Sequence, residues 1–266
     1  MRRALVLVVV LLAAGCGSTP DDGAGLSGAV MQYRSDIASR ILTVRLRASG
    51  DVRIDRLELR PGGFDPVAPV PVGRDLGAGR TADVRVGFGP PRCDGTAAGP
   101  STAVVTTVSG ADQVVTLADD HDAIGALHRA ECAERAIRAV AVIGFDRTWE
   151  RDGDLLRGML HLRRTGGADP VTVGELGGTT IFGLNPAAGT ALPLVLPAGA
   201  ADAALPVVVE ATRCDPHALA ESKRATAFVA VAAVGSGPPT RLTVAPDDAD
   251  RGALLDFATD VCSHGG

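Results

Sequence analysis

A mainly β chain built as two tandem sandwich repeats is what this sequence predicts, on three observations. Short runs alternate apolar with polar residues, the period of two that marks a strand with one wet face. The 33 Gly and 17 Pro suit frequent turns and oppose long helices. Several features also recur in the same order roughly one hundred and twenty residues apart, as in a duplicated domain.

In the first repeat Leu42, Val44, Leu46 and Ala48 alternate with Thr43, Arg45 and Arg47. Ala82, Val84, Val86 and Phe88 alternate with Asp83, Arg85 and Gly87 in the same way. Between them Val52 and Ile54 are out of phase with Leu57 and Leu59, which predicts a bulge. Residues 102–108 and 113–117, joined by Ser109, Gly110, Ala111 and Asp112, read as a hairpin. The second repeat offers strands at 155–162, 171–176, 205–209, 226–234 and 241–244. Short strands at this spacing, separated by proline-rich turns, predict an immunoglobulin-like sandwich in each repeat.

Each repeat is expected to close with a short helix. Asp119 or Asp120 can cap the first, with Ile124, Leu127 and Ala130 on one face and Cys132 nearby. Asp247 or Asp248 stands before the second, where Leu254, Leu255, Ala258 and Val261 lead to Cys262.

The internal likeness can be followed along the chain. VRLRASG at 44–50 answers LHLRRTG at 160–166 with an offset of 116, and Tyr33 and Phe145 lie upstream as a similar aromatic pair. Phe64 and Phe182 are 118 apart. VRVGFGPPRCD, ending at Asp94, answers VVVEATRCD, ending at Asp215, so Cys93 and Cys214 are 121 apart. The offset drifts in one direction, as small insertions would make it, and the repeats are placed at 29–136 and 137–266.

Of 5 cysteines, Cys16 stands apart in the N-terminal segment. Cys93, Cys132, Cys214 and Cys262 allow three pairings. Duplication selects Cys93 with Cys132 and Cys214 with Cys262, because only this choice makes each repeat self-contained. A bridge closing a loop of about 40 to 50 residues stabilises by roughly 4 kcal/mol in the chain-entropy model, so the four cysteines read as structural.

The N-terminus carries an address. Arg2 and Arg3 precede an unbroken apolar run over 4–14, followed by small residues, the form of a secretory signal. As a helix that run spans only about 16 Å, against roughly 30 Å of bilayer hydrocarbon. Leu11, Leu12, Ala13, Ala14, Gly15 and Cys16 resemble the lipobox of bacterial lipoproteins, with small residues before an obligatory cysteine. That family most often has leucine three residues before the cysteine, where this chain has Ala13 and puts Leu12 one place earlier. The resemblance implies a signal peptide over 1–15, a diacylglyceryl group on the Cys16 sulfur, and a cell membrane location on the extracytoplasmic face. Two acyl chains anchor stably where one binds only marginally. Residues 16–28, rich in Gly, Ser, Asp and Pro, read as the lipidated cysteine and a flexible tether.

The formal net charge of −5, with no isolated basic cluster, argues against nucleic acid as a partner. The sequence holds no Gly-x-Ser-x-Gly elbow, His-Glu-x-x-His, Walker loop, Ser-x-x-Lys or dinucleotide fingerprint. No catalytic residue, cofactor or metal ligand is therefore predicted. Asp119, Asp120, His121 and Asp122, and likewise Asp247, Asp248 and Asp250, could face a cation, but acidic residues before a helix are more simply caps. His121 and His128, seven apart, read as surface histidines. Residues 61–71, PGGFDPVAPVP, read as an edge loop in preference to a ligand for a proline-reading groove. Aromatic residues amount to 3% and are assigned to the cores, which disfavours a stacking platform.

The functional expectation is a non-enzymatic binding or envelope-assembly module, or a spacer, holding an unidentified protein or small ligand. The alternative is an enzyme or solute-binding subunit with a site at the repeat interface.

Overall fold

The computed structural model describes residues 25–264, apart from 38, 96–98, 216 and 219–224, with the backbone alone at 264. The predicted lipid site Cys16 and the signal segment lie outside the described residues. The chain is mainly β, and it divides into two compact units, one of residues up to 90 with 99–124 and the other of 91–98 with 125 onward. No helix among the described residues is long and apolar enough to cross a membrane.

The first unit contains β1 (Leu26–Met31), β2 (Ile41–Ala48), β3 (Val52–Arg60), β4 (Val70–Leu76), β5 (Thr81–Gly87), β6 (Thr102–Thr107) and β7 (Asp112–Ala118). Their order is β4-β3-β6-β7-β1-β2-β5. Every pairing is antiparallel except β1 with β7, which run parallel over Gly28 with Leu117 and Ala29 with Ala118 alone. That brief parallel contact joins two layers, β1-β2-β5 and β4-β3-β6-β7, the immunoglobulin-like arrangement. Leu42, Val44, Leu46, Val84 and Val86 from one layer and Ile54, Leu57, Leu59, Val105 and Leu117 from the other are buried.

The second unit holds β8 (Ala141–Phe145), β9 (Glu150–Asp152), β10 (Leu155–Arg164), β11 (Val171–Gly177), β12 (Phe182–Pro186), β13 (Leu194–Leu196), β14 (Asp202–Ala211), β15 (Phe228–Val234) and β16 (Thr240–Val244). One sheet runs β12-β14-β10-β8, with β9 also on β10, and the other runs β13-β11-β15-β16. Apart from β9 and β12, which have no counterpart, and the β1–β7 pairing, which has none among the described residues here, the strand order repeats, with β8, β10, β11, β13, β14, β15 and β16 standing for β1 to β7. The duplication extends to an irregularity. The register shifts between Ile54 and Arg56 in β3 and between Val173 and Glu175 in β11, a bulge in the third main strand of each repeat.

Among the described residues, two long helices accompany the strands, α1 (Ala123–Val140) and α2 (Asp248–His264). They are longer than the short helices expected. Glu134 to Val140 keep helix-forming residues coming after Cys132, so that cysteine lies mid-helix in α1, whereas α2 stops two residues beyond Cys262. Residues 125–140 of α1 group with the second unit.

Other expectations are corrected. The first strand begins at Leu26, inside the segment read as tether, because Leu26 pairs with Ala48 and the Ser49 amide donates to the Gly25 carbonyl. Backbone pairing needs no large side chain, so a Leu-Ser-Gly-Ala run can be a strand without showing alternation. Tyr33 is not the counterpart of Phe145. Phe145 pairs with Leu160, and the residue opposite Val44 is Val30. Ala130, expected on the inward face of α1, is exposed, while Ile124, His128, Ile137 and Val140 face inward.

One side chain organises the loops beside β10. The Arg164 guanidinium donates to the carbonyls of Ala200 (2.7 Å), Pro197 (2.8 Å), Asp169 (3.0 Å) and Gly167 (3.3 Å). The Arg164 amide donates to Ala201 O at 2.8 Å, and the Gly199 amide to Ala168 O at 3.2 Å.

Candidate functional site

The chemistry-bearing residues collect where the terminal helices meet the strands before them. Asp119 accepts the amides of Ala123 (2.8 Å) and Ile124 (2.9 Å) through its two oxygens, so it satisfies two orphan donors of α1 at once. Asp247 Oδ1 accepts the amides of Ala249 (3.1 Å) and Asp250 (3.0 Å), and its other oxygen pairs with Arg147 at 3.1 Å. The Asp250 amide and the Arg147 guanidinium hold the Asp247 carboxyl below the usual carboxylate range. Asp250 is moved the other way, by burial first and by the charge of Asp247 second. Asp119 and Asp247 are thus engaged as caps, and no group of three or more His, Cys, Asp or Glu that could hold a metal ion is found among the described residues.

Disulfides join Cys93 to Cys132 and Cys214 to Cys262, with Cα atoms 5.5 Å and 5.2 Å apart. The sequence separations of 39 and 48 make each bridge worth about 4 kcal/mol in the chain-entropy model. Each ties a helix to the segment that follows the fifth main strand of its repeat.

His128 overturns its surface reading. It is 6% exposed, one helical turn before Cys132, with Nε2 2.8 Å from the Arg92 carbonyl and 3.6 Å from Cys132 Sγ. A carbonyl can only accept, so Nε2 carries the proton. Arg135 Nη1 donates to the Pro91 carbonyl at 3.0 Å and fixes the same segment from the next turn. His121 is exposed. The His-x-x-x-Cys spacing in His128 and Cys132 was the signal available for this pair, since residues four apart share a helix face.

A second polar group arises on β10. His161 Nε2 lies 2.5 Å from Asp146 Oδ2, and Arg163 Nη2 donates to Asp146 Oδ1 at 3.0 Å. The His161 and Asp146 atoms are close without the alignment of a hydrogen bond, so the contact is an ion pair only when the ring is protonated. Alternation along β10 puts His161 and Arg163 on one face, but no local pattern marks Asp146 as their neighbour.

The proline-rich stretch is a packed loop over its first half. Phe64 is 1% exposed, with its ring edge-on to Phe88 at 5.2 Å, and the Gly62 amide donates to Ser101 Oγ at 3.0 Å. Its last residues begin the edge strand β4. Phe145, Trp149, Phe182 and Phe228 form a chain of ring contacts 5.4 to 6.1 Å apart within the second unit, and Tyr33 is 46% exposed. A groove of ≈ 470 Å³ lies at the β3–β4 hairpin, lined by Asp51, Val52, Arg53, Asp75, Leu76 and Gly77. Arg53 and Asp75 pair across it at 2.7 Å, and Asp51 Oδ1 accepts the Ala78 amide at 3.0 Å.

No protein-family model and no curated protein matches the chain. Among solved structures it is similar to "Biofilm associated protein - BSP domain", at 10% identity and a TM-score of 0.23, over 86% of this chain and 59% of that one. It is also similar to the crystal structure of red sea bream transglutaminase, at 8% identity and a TM-score of 0.22, over 85% of this chain and 31% of that one. The chain therefore spans well under two thirds of the length of either. Likenesses of this strength carry no argument about activity, and the architecture rests on the strand order itself.

Proposed function

We propose that this chain is a lipid-anchored, extracytoplasmic, non-enzymatic module, whose two immunoglobulin-like repeats act as a spacer or as a binding platform in the cell envelope. The observation that carries the reading is the use of cysteine. Four of the 5 cysteines are joined in pairs, each pair fastening a helix, and the one remaining is Cys16 at the end of a basic-then-apolar N-terminal segment. Disulfides persist outside the reducing cytoplasm, and a cysteine directly after an apolar run and small residues is where a lipoprotein takes its lipid. A disulfide-stapled sandwich whose Asp119 and Asp247 are engaged as helix caps suits a spacer or a binding platform.

Fractionation and intact mass test this. The native protein is expected in the membrane fraction, carrying a diacylglyceryl adduct on an N-terminal Cys16, and Cys16→Ser is expected to move it to the soluble fraction. An unmodified Cys16, or unchanged fractionation of Cys16→Ser, would overturn the anchor.

A further inference from the structure

The two disulfides occupy equivalent places in the repeats, yet their surroundings differ in one respect. In each, the cysteine on the strand side, Cys93 or Cys214, is exposed, and the cysteine on the helix, Cys132 or Cys262, is half-buried. Exposure therefore does not distinguish them. Four residues before the helical cysteine, however, α1 carries His128 and α2 carries Ala258. Among the described residues, only the first bridge has a side-chain nitrogen within 3.6 Å of its helical sulfur. The one Nε2 hydrogen is donated to Arg92 O, one residue before Cys93, and this holds the ring beside the sulfur.

We infer that the Cys93–Cys132 bridge is a thiol-exchange site, with Cys93 the sulfur attacked and Cys132 the leaving thiolate, and that Cys214–Cys262 is structural only. The substrate class is a free thiolate, such as that of a small-molecule thiol. Its electron pair forms a new S–S bond to the exposed Cys93 sulfur, the Cys93–Cys132 bond breaks, and that electron pair stays on Cys132 Sγ. The His128 Nε2–H, otherwise taken by Arg92 O, then has an anion 3.6 Å away as a competing acceptor, and a hydrogen bond to a charged acceptor is about twice as strong as one to a neutral group. The incoming thiol is oxidised to the mixed disulfide while Cys132 is reduced. A second thiolate attacking the mixed disulfide at the non-protein sulfur completes reduction, leaving Cys93 as thiolate too. Stabilising the leaving thiolate speeds exchange, since a more acidic thiol leaves faster. His128 acts here as a positioning residue for one sulfur, and the inference stands or falls independently of the lipid anchor.

The full-length oxidised protein is incubated with reduced glutathione, quenched in acid, alkylated and mapped by mass spectrometry. The first bridge is expected to open at least about threefold faster than the second. The glutathione adduct is expected on Cys93 and not on Cys132. His128→Phe, which removes the donor, should cancel the difference, and His128→Gln, which keeps a side-chain N–H, should retain most of it. Equal opening rates in the unmutated protein, or adduct on Cys132, overturns the inference whether or not the variants fold. So does an unchanged rate in a folded His128→Phe protein.

Discussion

Replacing Gly158 by alanine should displace the chain's one tryptophan from its place in the second unit. Gly158 lies in β10 opposite Val207, and a Cβ added there would stand 2.4 Å from Trp149 Cζ3 and 2.6 Å from Cε3, far inside van der Waals contact. Neither partner can yield cheaply. β10 is paired with β14 through Gly158 and with β9 and β8 on either side of it, and the indole packs against Phe145 at 5.4 Å. Overpacking of this kind costs about 1–3 kcal/mol. The indole Nε1–H has no partner inside, so a ring pushed outward gains a hydrogen bond to water, which favours the lower half of that range. With about 1.5 kcal/mol lost and a urea m-value of about 2 kcal/mol/M, the unfolding midpoint should fall by about 0.75 M. For Gly158→Ala, Trp149 fluorescence supplies both readings, the midpoint and a red shift of native emission, and far-UV circular dichroism supplies the midpoints of the variants that lack Trp149. A Trp149→Ala, Gly158→Ala double variant should lose clearly less than the sum of the single losses, because the clash is gone. Strict additivity, or a Gly158→Ala protein with native emission and midpoint, would refute the packing argument.

Asp119→Ala leaves the Ala123 and Ile124 amides without their acceptor, and should cost about 1–2 kcal/mol by urea denaturation, with Asp119→Asn recovering part of it. Asp250 is buried beside Asp247 with its carboxyl raised above 3.8, so the folded state binds its proton more tightly than the unfolded state does. Its charge therefore weighs against folding at neutral pH, and that penalty fades as the pH falls through the raised value. Asp250→Asn should raise the urea midpoint at pH 7 and lose the gain below about pH 3.8; a gain equal at both pH values would contradict this. Gly62→Ala puts a Cβ 1.7 Å from the Gly99 carbonyl, a backbone atom that cannot rotate away, so thermal unfolding should shift down by several degrees or expression should fail.

Much of the architecture was legible because it rests on side-chain alternation. Leu42 to Ala48 and Ala82 to Val86 announce their buried face directly, and the phase change from Ile54 to Leu57 is the bulge itself. The repeat was legible because its anchors, Phe64 with Phe182 and Cys93 with Cys214, are large or covalently constrained. β1, β8 and β9 left little trace, since each is short or rich in small residues and is held by backbone pairing to a stronger neighbour. Phe257, buried in the second core, was passed over among the Leu and Ala of its helix. His128 was misjudged because a lone histidine on a helix says nothing about what covers it. The segment that buries it, Pro91 and Arg92, lies more than thirty residues upstream.

The Arg164 knot makes two stretches of irregular backbone as fixed as the sheet they flank. A lysine there, with one nitrogen, could not span four carbonyls that lie on different sides of a planar fork. The amides of Thr165, Gly166, Gly199 and Ala200, each with a carbonyl acceptor, should accordingly exchange slowly for loop residues. Evolution could lengthen or recolour such loops only by first releasing the arginine. Variation among related chains should therefore collect at other loops of the unit, and a recognition surface that depends on adaptable backbone would be built there.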